Sequence, residues 1–169
     1  MKNKIKKGSK LKSAVKKLKS RKQKLEKKES GLLENPFISK SSEKKRVLLV
    51  EDDPLVSKAY AYFIQKAGYI VDVALNVLEA RKRTAAHRPH IILLDIIMPG
   101  VNGFEYLKEL KKSPKLSDVP VIMTSNLGEE SAITRCKRLG AADYFVKSNA
   151  FMRDVINRID TLIRQTRYQ

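Results

Sequence analysis

The sequence lacks the features that mark several classes of protein. Its single cysteine cannot form an internal disulfide, so a disulfide-stapled secreted scaffold is excluded. No apolar run approaches the ~20 residues that a membrane-spanning helix needs. The N-terminus is basic, but no apolar stretch follows it as in a secretory signal. The 169-residue chain is therefore expected in the cytoplasm, with no transmembrane segment.

The motifs of several common sites are missing as well. Neither G-x-x-x-x-G-K-[ST] nor G-x-G-x-x-G occurs, so nucleotide binding has no support. His87 and His90 lack the Cys or Asp neighbours of a zinc site. Neither histidine is an evident partner for a thiol nucleophile at Cys136.

Acidic residues are only half as numerous as basic ones. The chain holds 36 Lys and Arg against 18 Asp and Glu, a net charge of +18. Residues 1–45 alone hold 17 Lys and Arg against 4 Glu, with one aromatic residue, Phe37. Such a segment cannot bury enough apolar surface to offset its chain entropy. We therefore predict a basic arm and linker over residues 1–45, partly helical or disordered, and one domain over residues 46–166.

The arm has a weak helical pattern. Leu11, Val15, Leu18 and Leu25 form one stripe of a helix whose remaining surface is mostly Lys. Such a helix could bind nucleic acid, an anionic membrane surface or an acidic partner. The alternative interpretation is a solvated, frayed helix or a disordered segment without a partner.

Short apolar runs alternate with helical patterns in the rest of the chain. Strands are predicted at residues 46–51, 69–74, 90–96, 119–125 and 142–146. Helices are predicted at residues 54–67, 76–86, 104–112, 129–139 and 149–166. This alternation predicts an α/β domain whose five-stranded parallel sheet is doubly wound, with helices on both faces.

Charged and hydroxyl side chains stand where the predicted strands end. Glu51 and Asp52 follow the first strand, Asp95 ends the third, Ser125 ends the fourth and Lys147 follows the fifth. Because the carboxyl ends of parallel strands meet at one crevice, we expect these side chains to converge. Carboxylate oxygens of this kind suit Mg²⁺, and Lys147 could bind an oxygen of an acyl phosphate.

Residues 46–166 resemble the receiver domains of two-component response regulators. The motifs that carry the resemblance are LLVEDD (48–53), LLDIIMPGVNG (93–103), PVIMTS (120–125) and GAADYFVK (140–147). Their spacing agrees too, with 43 residues from Asp52 to Asp95, 30 from Asp95 to Ser125 and 22 from Ser125 to Lys147. The resemblance implies a flavodoxin-like (βα)5 fold with strand order 2-1-3-4-5. It does not extend to residues 1–45.

The resemblance also implies a role for each residue of the crevice. Asp95 would accept a phosphoryl group from a histidine kinase or a histidine phosphotransfer domain. Mg²⁺ would be held by Glu51, Asp52 and Asp95, with Asp52 as the more direct ligand of the acidic pair. The backbone carbonyl of Ile97 would be a further metal ligand, and Lys147 would bind the phosphoryl group.

The resemblance further implies a conformational switch, by which phosphorylation would alter a surface that a partner protein binds. Ser125 would be the switch hydroxyl, and Tyr144 would turn inward when that hydroxyl moves, altering the surface of the fourth helix, fifth strand and fifth helix. Because the sequence ends at Gln169, barely past the last predicted helix, we expect a stand-alone phosphoacceptor, not an enzyme, that signals through an unknown downstream protein. The alternative is a polyanion-binding protein that acts through the arm, with the receiver as its regulator.

A few residues depart from the family pattern, and two others are expected to affect how fast a phosphoryl group is lost. Ser148 replaces the usual proline, so we expect a trans peptide bond and a different placement of the preceding lysine. Asn126 stands where the family has a small residue and could crowd the phosphoryl site. His90 replaces an acid and is interpreted as surface variation. Ile97 and Leu127 cannot orient a water, so slow self-dephosphorylation is expected.

Overall fold

The computed structural model describes residues 44–166, and the predicted arm stripe lies outside that range. Ten elements alternate along this part of the chain: β1 Arg46–Val50, α1 Pro54–Lys66, β2 Ile70–Ala74, α2 Val77–Ala86, β3 Ile91–Asp95, α3 Gly103–Lys112, β4 Val121–Ser125, α4 Glu130–Arg138, β5 Asp143–Val146 and α5 Met152–Gln165. No helix between residues 44 and 166 is both long and apolar enough to span a bilayer.

The five strands form one parallel sheet in the order β2-β1-β3-β4-β5. This order confirms the fold class and topology expected from the sequence. The register pairs Val50 with Leu94, Asp95 with Thr124 and Ser125 with Val146. The carboxyl ends of the four strands β1, β3, β4 and β5 therefore reach the same edge of the sheet.

Each face of the sheet packs against its own set of helices, because successive strand side chains point to opposite faces. On one face, strand residues such as Leu48, Leu94 and Met123 are buried against α2, α3 and α4. On the other face, Leu49, Leu93 and Ile122 join a second core with α1 and α5. The β3 side chains are fully buried on both faces, which explains why IILL reads as a continuous apolar run.

Local sequence signals position the loops at the carboxyl edge. Asp53 caps α1 through its Oδ1, which accepts from the N–H groups of Leu55 and Val56 at 2.7 and 3.1 Å. Asn102 caps α3 in the same way, accepting from the N–H of Glu105 at 3.1 Å. Gly103, the first residue of α3, lies so close to β3 that a Cβ there would sit 2.1 Å from the Asp95 carbonyl oxygen.

The largest difference from the predicted elements is the start of the last helix. It was expected from Asn149, but α5 begins at Met152. Asn149 and Ala150 instead donate their N–H groups to the Val146 carbonyl at 3.0 Å, forming a turn after β5. The predicted strands also extend one or two residues beyond the observed strands, most often at their amino ends.

Candidate functional site

The carboxyl edge of the sheet opens into a cleft of about 540 Å³. It is lined by every strand-end side chain that the sequence singled out, together with parts of α1 and of the loops after β3, β4 and β5: Glu51, Asp52, Asp95, Ser125, Lys147, Ile97, Asn126, Ser148 and Tyr60 among others. The predicted convergence at this edge is thus present in the structure.

Lys147 joins two of the carboxylates at the floor of this cleft. Its Nζ donates to Glu51 Oε2 at 2.6 Å and to Asp95 Oδ2 at 2.9 Å. The Lys147, Glu51 and Asp95 side chains are only 12 %, 2 % and 6 % exposed. Burial by itself would lower the pKa of Lys147, but its hydrogen bonds to the two carboxylates outweigh burial and raise that pKa above its ordinary value.

The Asp95 carboxylate is held in one orientation. Its Oδ1 accepts from the Ile96 N–H at 2.7 Å, while its Oδ2 faces the Lys147 ammonium. The backbone beneath it is fixed by the Gly103 N–H, which donates to the Ile96 carbonyl at 2.9 Å. The strand, the ammonium and the start of α3 together direct this carboxylate into the cleft.

Three carboxylates of the cleft can share one cation. Glu51, Asp52 and Asp95 each offer an oxygen, and these oxygens all lie within 4.8 Å of one another. Burial raises the pKa of Glu51 above its ordinary value, because one ammonium shared with Asp95 only partly offsets the loss of water. A set made only of oxygen donors, with more negative charge than Lys147 balances, fits a hard divalent cation such as Mg²⁺.

Ser125 and Tyr144 meet at the backbone of Leu127. Ser125 Oγ accepts from the Leu127 N–H at 3.2 Å, and the Tyr144 hydroxyl donates to the Leu127 carbonyl. Ser125 is fully buried, and burial raises the pKa of the half-buried Tyr144. One residue of the β4–α4 loop therefore connects the cleft with β5.

Residues 47–160, which hold the acids and the lysine described above and all of the strands except the first residue of β1, match the family described as the response regulator receiver domain. The chain belongs to this family. Receivers are phosphoacceptors of two-component signalling systems and not conventional enzymes, which is consistent with the expectation from the motifs.

Curated relatives extend the same similarity. The phosphate regulon transcriptional regulatory protein PhoB of Rhizobium meliloti is 31 % identical over 122 residues, covering 72 % of this chain and 53 % of PhoB. Protein PilH of Pseudomonas aeruginosa is 33 % identical over 102 residues, covering 60 % of this chain and 84 % of PilH. The receiver spans about half the length of the first curated relatives that it matches.

Solved structures agree on the fold. A CheY-like response regulator receiver domain protein from Methanospirillum hungatei superposes with a TM-score of 0.69 at 22 % identity, covering 75 % of this chain and 98 % of that one. A putative response regulator from Chloroflexus aurantiacus gives a TM-score of 0.68 at 24 % identity, with 72 % and 99 % covered. At these identities the likeness concerns the receiver fold alone.

The structure shows where Ser148, Asn126 and His90 lie, the three residues that depart from the family pattern. The bond before Ser148 is trans, as expected, and Lys147 nevertheless reaches both carboxylates. Asn126 is exposed and lines the cleft. His90 is more than surface variation: it is partly buried, and its Nδ1 accepts from the Arg46 N–H at 3.0 Å, linking the residue before β3 to the first residue of β1.

Two residues of the receiver have positions that the sequence did not reveal. Tyr60 of α1 lines the cleft, and burial raises its pKa. The signal that could have found it is its helical spacing from Val56 and Ala59, which line the cleft too. Leu127 was expected beside the water path, but its side chain packs against the core shared with α3 and α4, while Ile97 lines the cleft.

Proposed function

We propose that this protein is a phosphoacceptor that takes a phosphoryl group onto Asp95 from a histidine kinase or a histidine phosphotransfer domain. The observation that carries the proposal is the buried ammonium of Lys147 between Glu51 and Asp95, in a cleft open to a phosphodonor. The receiver domain would comprise residues 46–166, preceded by the basic arm of residues 1–45.

The acidic cluster is the proposed magnesium site. Glu51, Asp52 and Asp95 would hold the ion, with Asp52 more direct than Glu51 and the backbone carbonyl of Ile97 as a further ligand. Bound there, Mg²⁺ would supply positive charge to the oxygens over which phosphoryl transfer spreads negative charge. The shared proximity of the three carboxylates supports this assignment.

In the proposed transfer, a carboxylate oxygen of Asp95 forms a bond to phosphorus while the phosphorus–nitrogen bond of the donor phosphohistidine breaks. The electron pair of that bond returns to the donor imidazole, which takes a proton from solvent. The Ile96 N–H holds the aspartate in place during the transfer. Lys147 has three N–H donors, of which Glu51 and Asp95 occupy two, so the third can bind a phosphoryl oxygen.

The proposed switch uses the contacts at Leu127. A phosphoryl oxygen on Asp95 would attract the Ser125 hydroxyl, which then gives up the Leu127 N–H. The loop shifts, the Tyr144 hydroxyl loses its acceptor on Leu127, and the tyrosine turns inward. Because Tyr144 lies on β5, the change would reach the surface of α4, β5 and α5, where an unidentified downstream protein would bind.

Incubation with acetyl phosphate and Mg²⁺ tests the proposal directly. Intact-protein mass spectrometry should show one added phosphoryl group on the wild type and none on Asp95→Asn. A chelator added before the phosphodonor should prevent the modification. The proposal fails if Asp95→Asn is modified to the same extent as the wild type.

Asp53→Asn is the matched control for this experiment. Asp53 lines the same cleft but serves as the N-cap of α1, a role that asparagine fulfils as well. We expect this variant to be phosphorylated like the wild type. Equal loss of the modification in both variants would show that the Asp95 effect reflects general damage to the cleft.

A further inference from the structure

The amino edge of the sheet, opposite the cleft, carries a group of cations. Lys44, Lys45 and Arg46 lead into β1, while Arg88 precedes β3 and Lys115 follows α3. The Arg88 Nε donates to the Lys115 carbonyl at 3.0 Å, and the Arg46 carbonyl accepts from the N–H of His90, two residues after Arg88. We call these five side chains the basic end.

Helix dipoles do not explain the basic end. All five helices have a Lys or Arg in their last turn, where a cation is favoured by the carbonyl groups at a helix C-terminus. The five residues of the basic end lie outside the helices, in strand starts and loops. Their clustering therefore needs another reason.

Acidic partners neutralise only part of this charge. Arg46 pairs with Asp72 at 2.8 Å and Arg88 pairs with Asp118 at 2.6 Å. Within residues 44–166, the ion pairs do not include Lys44, Lys45 or Lys115. Lys44 and Lys115 are exposed, and Lys44, Arg46 and Arg88 line one open groove of about 730 Å³.

The polypeptide outside the described range joins the receiver at this end. Residue 43 precedes Lys44 directly, and residues 1–43 contain 15 Lys and Arg against 4 Glu. The basic segment of residues 1–43 is therefore covalently continuous with the basic end at Lys44.

We propose that the basic end binds the phosphate backbone of duplex nucleic acid, without reading its sequence. A membrane surface is the weaker fit, because none of the large hydrophobic side chains exposed in residues 44–166 lines the groove beside these cations: Leu55, Tyr62, Phe63, Leu75, Leu78, Ile97 and Phe151. Besides the imidazoles of His87 and His90, the residues that line the groove include none of the larger Phe, Tyr or Trp rings on which single-stranded bases stack best. This binding does not require phosphorylation of Asp95.

A salt titration of the full chain tests the proposal. Fluorescence anisotropy with a labelled mixed-sequence DNA duplex would give Kd over a series of KCl concentrations, in the absence of any phosphodonor. The variant Lys44→Glu with Lys115→Glu should weaken binding several-fold. When log Kd is plotted against log [KCl], the slope for this variant should be about 1.8 shallower than for the wild type, since each of the two lost phosphate contacts accounts for about 0.9.

The control variant is Lys58→Glu with Arg153→Glu, which changes the net charge equally. Both residues are exposed and lie on the first turns of α1 and α5, toward the cleft. Because residues 1–43 are the same in both variants, their contribution cancels in the comparison. We expect the control to keep the wild-type salt slope.

Three results would overturn the proposal. The first is an equal change of slope in the two variants, which would mean that net charge alone decides binding. The second is the absence of measurable DNA binding by the full chain at low salt. The third is binding to phosphatidylserine vesicles without binding to the duplex, which would assign the basic end to a membrane surface.

Discussion

Ion pairs occur at both edges of the sheet, and those at the cleft are the more deeply buried. At the cleft, Lys147 is 12 % exposed and is shared by Glu51 and Asp95. At the amino edge, Arg88 and Asp118 pair at a similar distance with side chains 53 % and 62 % exposed. Because water and salt screen exposed charges, we expect that breaking an ion pair costs more stability at the cleft than between Arg88 and Asp118.

The difference follows from how the chain reaches each edge. At the carboxyl edge, α3 starts directly against β3, so the acids and the lysine are enclosed by backbone. At the amino edge, Arg88 and Asp118 stand on loops that face solvent, whereas Arg46 and Asp72 pair between β1 and β2 with side chains 23 % and 16 % exposed. We therefore expect substitutions at the cleft to change stability far more than substitutions at the basic end.

The largest effect is expected from Gly103→Ala. The new Cβ would lie 2.1 Å from the Asp95 carbonyl oxygen and 2.8 Å from the Ile96 Cα, so α3 and β3 must separate. We expect the free energy of unfolding to fall by about 4 kcal/mol, because backbone atoms cannot move aside as a side chain can. Urea denaturation followed by circular dichroism measures the change.

Gly128→Ala is the control for that prediction. Its Cβ would meet nothing closer than the Val146 Cγ1 at 4.0 Å. The free energy of unfolding should change by less than about 0.5 kcal/mol. If the free energy of unfolding fell by similar amounts in the two variants, the close packing of Gly103 under Asp95 would not be what stabilises the cleft.

The second largest effect is expected from Lys147→Met. The change leaves the Glu51 and Asp95 carboxylates buried without their ammonium, which should lower the free energy of unfolding by about 3 kcal/mol in metal-free buffer. Mg²⁺ should restore part of this loss, since a cation that binds only the folded state stabilises it. Thermal unfolding with and without Mg²⁺ measures both effects.

Lys58→Met removes an exposed lysine from α1 and serves as the comparison for Lys147→Met. Its stability should stay within about 0.5 kcal/mol of the wild type, with the same response to Mg²⁺. If Lys147→Met were as stable as Lys58→Met, the buried ion pair would not be the main charge compensation at the cleft.

A smaller effect is expected on the lifetime of the phosphoryl group. Ile97 lines the cleft, is 58 % exposed and has no group that could orient a water. Ile97→Asn should speed the loss of phosphate several-fold, within the ~100-fold range that positioning a nucleophile can contribute. The decay of the phosphorylated protein, followed by mass spectrometry after removal of the phosphodonor, gives the rate.

Leu78→Asn is matched to Ile97→Asn in chemistry and exposure. Leu78 is 61 % exposed on α2 and does not line the cleft. Its phosphorylated form should decay at the wild-type rate. A decay rate for Ile97→Asn no faster than for Leu78→Asn would remove Ile97 from the control of water access.

The smallest effect is expected at the amino edge. A double-mutant cycle of Arg88→Ala and Asp118→Ala should give a coupling energy below about 1 kcal/mol, because water and salt screen a half-exposed pair. Urea denaturation of the four proteins measures it. A coupling as large as the loss in Lys147→Met would show that the two edges do not differ as we describe.

The sequence predicted the fold and most of the cleft because both depend on local patterns. Apolar runs such as IILL at residues 91–94 mark strands buried on both faces. Once the strands are parallel, their last residues share one edge, so Asp95 and Lys147 had to meet there. Neither inference needs the distance or angle between packed helices.

What could not be predicted depends on packing between elements. Tyr60 lies one helical turn after Val56, but which side of α1 faces the cleft depends on how the helix packs on the sheet. The Leu127 side chain packs into the core, although its place in the chain suggested the water path. The helix α5 begins only at Met152, because the N–H groups of Asn149 and Ala150 donate to the Val146 carbonyl and form a turn before it.

Leu127 is held by three separate attachments. Its N–H is bound by Ser125, its carbonyl by Tyr144, and its side chain is packed in the core that contains Ala132 and Cys136 of α4. These contacts bring the end of β4, β5 and the core beside α4 together at a single residue. In the proposed switch, loss of the Ser125 bond would therefore change both the Tyr144 contact on β5 and the packing beside α4, so the two elements of the proposed output surface would respond together.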